Sequence, residues 1–300
     1  MATLRELKTR IGSVSSSEKI TGAMKMISSA KVHKNEQELR RLLPFKSRIQ
    51  QIMGHILASD VAFVSPLIEE REVRKAALVV YGSDDGLCGA YNMNIFKRLL
   101  VEINDLRREH GEKLELTVYP VGRKVARAAS HLAGQGIRVE VPEGVDSKMS
   151  PEKVNEFTLS LREDFTRKEY DLVKVVYMKF FSISRQRPTV DTLFPVREET
   201  LLEGARGDEA RDRKENMVYI FEPDPNSIFN EVLPMFVLSM MQEVTIENRA
   251  SEQAARVMAM QSANDNAKKL NEELQLEYNK LRQQSITTEL LDILGGQVER

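Results

Sequence analysis

The segment VVYGSDDGLCGAYNMN, Val79–Asn94, joins an apolar run to a turn holding Gly82, Gly86 and Gly89, and then to a helical pattern. Strand, glycine-bearing turn and helix in that order open an α/β unit and raise the question of a phosphate-binding loop. The chemistry of the turn argues against one. The glycines stand as Gly-x-x-x-Gly-x-x-Gly, which is neither the dinucleotide fingerprint nor a P-loop, and no Lys-Ser/Thr pair follows. Asp84 and Asp85 put negative charge where a cradle has to attract phosphate. The expectation is a tight strand-to-helix turn, with Asn92 or Asn94 capping the helix.

On either side the same grammar continues. KAALVVYG (Lys75–Gly82), LELTVYPVG (Leu114–Gly122), IRVEVP (Ile137–Pro142) and DLVKVVYMKF (Asp171–Phe180) read as strands. Helical patterns over Asn94–Glu109, Arg123–Gly134 and Ser150–Arg167 separate them, the last opening on Ser150 as N-cap and Pro151 at the first helical position. Two more strands, TVDTLFPV and MVYIFEP, are divided by the charged stretch REETLLEGARGDEARDRKEN, whose composition predicts mobility. Alternating strand and helix predict a mostly parallel, Rossmann-like sheet over residues 73–222.

The two ends are different. From Leu4 to Leu57 apolar residues recur at helical spacing: Leu4, Leu7, Ile11 and Val14, then Ile20, Met24 and Ile27, then Leu39, Leu42, Ile49, Ile52 and Ile56. Pro44 is expected to kink this helix without ending it, because the spacing resumes beyond it. Such an element is about 80 Å long, too long for the interior of a compact domain. The other end, residues 226–296, has no glycine or proline between Pro234 and Gly295 and is rich in helix formers. Capping residues at Pro225–Asn226–Ser227 predict its start and Gly295–Gly296 its stop.

Its inner stripe passes from Phe229, Val232, Phe236 and Met240 through Ala250, Ala254, Ala263 and Ala267 to Leu270, Leu274, Tyr278 and Leu281. A lone helix of about 100 Å cannot hide such a stripe, and residues 1–57 are the one partner of matching reach. Small residues there, Gly22, Ala23, Ser28, Ser29 and Ala30, suit close approach to alanine. The fold class expected is therefore α/β: an antiparallel two-helix coiled coil from the N- and C-terminal helices plus a Rossmann-like domain.

Composition narrows the function. The formal net charge of the 300 residues is −1, but residues 1–50 hold eleven Lys/Arg against four Glu, while the last seventy lean acidic. Two solvated helix faces explain this split, as do two associating arms or a basic arm facing an acidic partner. Cys88 is the single cysteine, so no intramolecular disulfide forms and a reducing compartment is expected. His33, His55, His110 and His131 lack metal spacing, and no Ser/His/Asp set or carboxylate pair stands at recognisable spacing. No catalytic residue, metal or cofactor is expected. Glu6 and the missing apolar core at the start argue against a signal or transit peptide, and no apolar run is long enough to span a membrane.

Three motifs together carry a resemblance: RIGSVSSSEKITGAMKMISSAK near the start, SDDGLCGAYN in the middle, and ASEQAARVMAMQSANDNAKKL with LQLEYNKLRQQSITTELLDILGG at the end. In this order, over essentially the whole chain, they resemble the γ subunit of F-type ATP synthases. The resemblance implies a central rotor stalk: a coiled-coil shaft standing in the α/β subunit hexamer, with a foot on the membrane c-ring beside the ε subunit. Proton flow would turn it, and the ATP chemistry would belong to β. No nucleic-acid binding and no direct membrane insertion follow, and the place implied is the cytoplasmic face of a bacterial cell membrane.

The resemblance also implies partner contacts. Met24 and Lys25, in AMKM, match the part that faces the acidic lever of β. Arg256, in AARVMAM, and Arg282, Gln283, Thr287 and Glu289, in RQQSITTE, match positions that meet the catch loops of the hexamer. For each the plainer reading is a solvated helix residue. Two positions depart from the pattern, Gly22 and Asp85, where a basic residue is usual; the second puts ion pairing at that turn in question. Two rival classes remain: an α/β enzyme with a coiled-coil dimerisation arm, which would bind nucleotide tightly, and a free-standing coiled-coil adaptor.

Overall fold

The computed structural model describes residues 3–57, 63–134, 136–202 and 221–298. It divides into two compact units, one of Met1–Ala30 with Arg256–Arg300 and one of Lys31–Ala255. Helix α1 (Leu4–Leu57) and helix α6 (Pro225–Val298) contribute to both. Pro44 lies inside α1 and does not end it.

In the larger unit, β1 (Lys75–Tyr81), β2 (Glu115–Val121), β3 (Ile137–Val139), β4 (Leu172–Ser182) and β5 (Arg185–Phe194) form one sheet in the order β3-β2-β1-β4-β5. All neighbours are parallel except β4 and β5, which form an antiparallel hairpin. Strand β1 is buried along almost its whole length, as the apolar run AALVVY after Lys75 requires of a central parallel strand.

The period of two sends alternate β1 residues to two separate cores. Ala76, Leu78 and Val80 pack with Ile95, Leu99 and Ile103 of α2 (Tyr91–His110) and with Val125 and Ala129 of α3 (Arg123–Ala129). Ala77, Val79 and Tyr81 face Phe157, Leu161 and Phe165 of α4 (Pro151–Thr166), Ile49, Met53 and Ile56 of α1, and Phe229, Leu233, Phe236 and Met241 of α6. Ser150 caps α4 as expected, its hydroxyl oxygen accepting from the Lys153 N–H at 3.5 Å.

The terminal helices run antiparallel. Lys46 of α1 pairs with Glu243 of α6, and further along the chain the Val64 N–H donates to Asn226 Oδ1 at 3.0 Å. In the smaller unit Asn264 Nδ2 of α6 donates to the Glu18 carbonyl of α1 at 2.7 Å and reaches Thr21 Oγ1 at 3.3 Å. A Cβ at Gly22 would lie 3.4 Å from that same amide, an ordinary contact, so α1 passes close to Asn264 here without requiring glycine. The coiled coil plus Rossmann-like domain expected from sequence is the fold observed.

Several local expectations are corrected. Ile20 (60 % exposed), Ile27 (58 %) and Ile52 (46 %) face outward, while Ser28, Val32 and Met53 take the buried positions. Leu270 is likewise exposed, whereas Leu274 is buried. Strand β3 ends at Val139, and Arg123–Gly134 divides into α3 and a 3-10 turn at Ser130–Leu132. Gly295–Gly296 do not stop α6, which continues to Val298: glycine weakens a helix by about 1 kcal/mol without the steric break of proline.

Helix α6 is capped one residue earlier than expected. Asp224 Oδ1 accepts from the Ser227 N–H at 2.9 Å and Oδ2 from its hydroxyl at 2.6 Å, which draws the Asp224 carboxyl below its ordinary value. Within the charged stretch after β5 the structure has α5 (Glu198–Leu202); its remainder and most of MVYIFEP lie outside the described residues.

Candidate functional site

Two places are candidates: the loop after β1, where an α/β protein would bind a ligand, and the exposed surface of the paired terminal helices. The loop is closed by the chain itself. Asp84, 7 % exposed, accepts from the Arg123 N–H at the start of α3 (2.9 Å) and from the Ser147 N–H (3.2 Å) and hydroxyl (2.7 Å). Its carboxylate thus caps the start of α3 and puts negative charge inside the turn, where a phosphate would be repelled. A side chain at Gly82 would collide with Val125 Cβ at 2.7 Å, so this glycine permits strand–helix packing rather than approach of a ligand.

Neither asparagine caps α2. Its N-cap is Ala90 without a side-chain bond, and Asn92 reaches back so that its Oδ1 accepts from the Ser83 N–H at 3.0 Å. Asp85 makes an ion pair with Lys148 Nζ at 2.8 Å, and that bond raises the Lys148 pKa.

Open α/β sheets bind ligands at the carboxyl ends of the strands where strand order reverses. In the order β3-β2-β1-β4-β5 that point lies between β1 and β4, and α6 fills it. Asn248 Nδ2 donates to the Gly82 carbonyl at 3.1 Å, and its Oδ1 accepts from the Tyr91 hydroxyl at 2.6 Å and from the Met178 N–H at 3.4 Å. Beside it Thr245 Oγ1 bonds the Tyr81 hydroxyl at 3.1 Å, and burial pushes that phenol up to about 12. Ser251 Oγ donates to the Met178 carbonyl at 2.9 Å. Among the described residues no group of His, Cys, Asp and Glu could hold a metal ion.

The second candidate lies in the smaller unit, where all seven positions expected to meet a partner fall. Met24 and Lys25 are half-buried on α1; Arg282, Gln283, Thr287 and Glu289 are exposed on α6. Arg256 is only 6 % exposed and has an interaction within the chain. The Thr287 hydroxyl donates to the Gln283 carbonyl at 2.9 Å, so its oxygen rather than its proton is left to a partner.

Around these polar residues stands apolar surface that sequence periodicity did not single out. Leu276 (71 % exposed), Ile286, Leu290, Leu291, Ile293 and Leu294 all face outward on α6. An apolar surface of this extent marks a place where another molecule packs. The signal available in the sequence was ILGG with its flanking leucines, too many apolar residues for a single helical stripe.

The family model described as ATP synthase matches residues 3–298. A curated relative from Phocaeicola vulgatus, named ATP synthase gamma chain, is 39 % identical with 99 % of each chain covered. A second of that name, from Bacteroides thetaiotaomicron, is 36 % identical over the whole of both chains. Among solved structures, the rotor of the Euglena gracilis mitochondrial ATP synthase matches with a TM-score of 0.58 at 20 % identity, covering 94 % of this chain and 98 % of that one, a likeness of fold. By family match, full-length identity and fold together, the chain belongs to the ATP synthase gamma-chain family.

Proposed function

We propose that the chain is the central stalk of a proton-translocating F-type ATP synthase, standing in the α/β hexamer and turning with the c-ring. Its relatives are named as gamma chains, and the solved structures of similar fold are a rotor and a central stalk with c-ring. The observation that carries the reading is the outward apolar and polar surface of α6 from Leu276 to Leu294.

A single shaft among three β subunits presents Arg282, Gln283, Thr287 and Glu289 to one copy at a time. A contact made with one conformation and not another shifts that subunit's equilibrium by the difference in interaction. Rotation then carries the bias from one catalytic site to the next. The chain supplies no reacting group in this scheme; the chemistry belongs to β. No helix of the described residues is long and apolar enough to cross a membrane, which fits a peripheral place at the cytoplasmic face, with the ε subunit and c-ring at the foot.

The test is assembly with α and β subunits and observation of a bead attached to the chain while the immobilised hexamer hydrolyses ATP. Stepwise unidirectional rotation is expected. Hydrolysis with a stationary bead would overturn the reading. Micromolar ATP binding by the chain alone, read by calorimetry, would favour the enzyme class instead.

A further inference from the structure

We propose that the α6 segment Thr245–Ser251 is the joint through which the sheet domain and the shaft helix exchange torque, with Asn248 and Arg249 as its positioning residues. The inference rests on the central-stalk reading. Asn248 is 1 % exposed and bonds three separate elements: the end of β1 through Gly82, β4 through Met178 and α2 through Tyr91. Arg249 lies next to it, turned about 100° around the helix axis. Its Nε donates to the Ser147 carbonyl at 2.8 Å and its Nη2 to the Met149 carbonyl, and burial lowers its pKa. Ser147 in turn holds Asp84, which holds the first residue of α3. Through two consecutive residues, α6 is fastened to β1, β4, α2 and the turn before α4.

The physical distinction is between holding a helix and holding its azimuth. Apolar packing of Phe236, Met241 and Val244 on the sheet resists separation, but burial itself has no direction. Hydrogen bonds weaken steeply when misaligned. A turn of α6 about its axis would break the Asn248 and Arg249 bonds together and leave buried donors and acceptors unpaired, which costs more than the bonds themselves contribute. These residues therefore fix the rotational setting of the helix, the quantity a torque acts on.

The experiment uses the whole synthase in sealed vesicles, with ATP hydrolysis and ATP-driven proton uptake measured together. Asn248→Ala is expected to lower proton uptake per ATP hydrolysed by about fivefold, the factor set by one or two net hydrogen bonds. Arg249→Lys keeps the charge but not the forked geometry and is expected to give a smaller loss. Leu116→Ala, on the buried face of β2, serves as the structural control: it is expected to lower the thermal melt without changing the ratio. Should Asn248→Ala fail to assemble, Arg249→Lys decides the same comparison. An unchanged ratio in the assembled variants overturns the joint, as does an equal fall in Leu116→Ala. A wild-type complex without ATP-driven proton uptake would overturn the central-stalk reading itself, and the joint with it.

Discussion

Helix α6 has two halves that both carry large apolar residues and bury them to opposite degrees. In the larger unit Phe229, Leu233, Phe236, Met241, Ala250 and Ala254 are at most 1 % exposed. In the smaller unit Leu276, Ile286, Leu290, Leu291, Ile293 and Leu294 are each close to half exposed or more. Large apolar residues occur in both, so their presence alone does not explain the difference. The first half lies on a sheet whose face would otherwise be open; the second keeps its apolar surface for a partner. A side chain on the first half should therefore matter for folding, and one on the second for assembly and coupling.

The strongest way to break this comparison is to remove α6 by ending the chain before Asn226. Six or more large side chains leave the core, each contributing about 1.5–3 kcal/mol, against a net stability of about 5–15 kcal/mol for a whole domain. Loss of helicity per residue and aggregation are expected in circular dichroism and light scattering. A soluble monomer of undiminished helicity would show that the sheet domain does not depend on α6. Next in size, Phe236→Ala should lower stability by about 3–5 kcal/mol in urea unfolding; a loss under 1 kcal/mol would mean that this half is not the core it resembles.

A smaller effect belongs to Glu247, 5 % exposed, with Oε2 lacking a hydrogen-bond partner. Burial and the neighbouring Glu243 raise its pKa to about 7, against the pull of Lys179 and Lys46. Between 4.5 and about 7 the folded chain holds a proton that the unfolded chain has released. Stability then falls as pH rises through that window, by roughly 3 kcal/mol in all, and is flat above it. Glu247→Gln should abolish this fall and raise the melting temperature at pH 8; an identical pH slope in the variant would refute it.

The smallest effect on the chain is expected from the exposed half. Arg282→Ala should change stability by no more than about 0.5 kcal/mol while lowering turnover of the assembled enzyme, because the proposed guanidinium–carboxylate contact with a β subunit would be lost. Full turnover in the variant complex, or a large drop in the melt of the chain alone, would show that Arg282 has been given the wrong role.

Much of the larger unit was legible beforehand. β1, β2 and β4 announce themselves as apolar runs, and Ser150–Pro151 marks the start of α4 by local chemistry alone. The two long helices follow from spacing, and their pairing from the length of stripe to be hidden. The outward turn of Ile20, Ile27 and Ile52 was not legible, because spacing offers more than one apolar face on this helix and only the packed fold selects Ser28, Val32 and Met53 for burial. Asn92 looked like a cap because asparagine favours caps; in the structure Ser83 claims it first. The seven partner-contact positions came from resemblance, and periodicity would not have separated them from solvated neighbours.

The sequence by itself determined the main elements: strand or helix, their order, and that the terminal arms are too long to stand alone. These depend on residues a few positions apart, which the chain order specifies directly. Only the tertiary structure decided that the crevice at the end of β1 is filled. Asn248 bonds Tyr91 across 157 positions, and Asp84 bonds Ser147 across 63. An asparagine in the middle of a helix has no local partner to announce such a role. Its value appears only when folding brings a strand end, a helix start and a turn around one amide and excludes the water that would otherwise satisfy them.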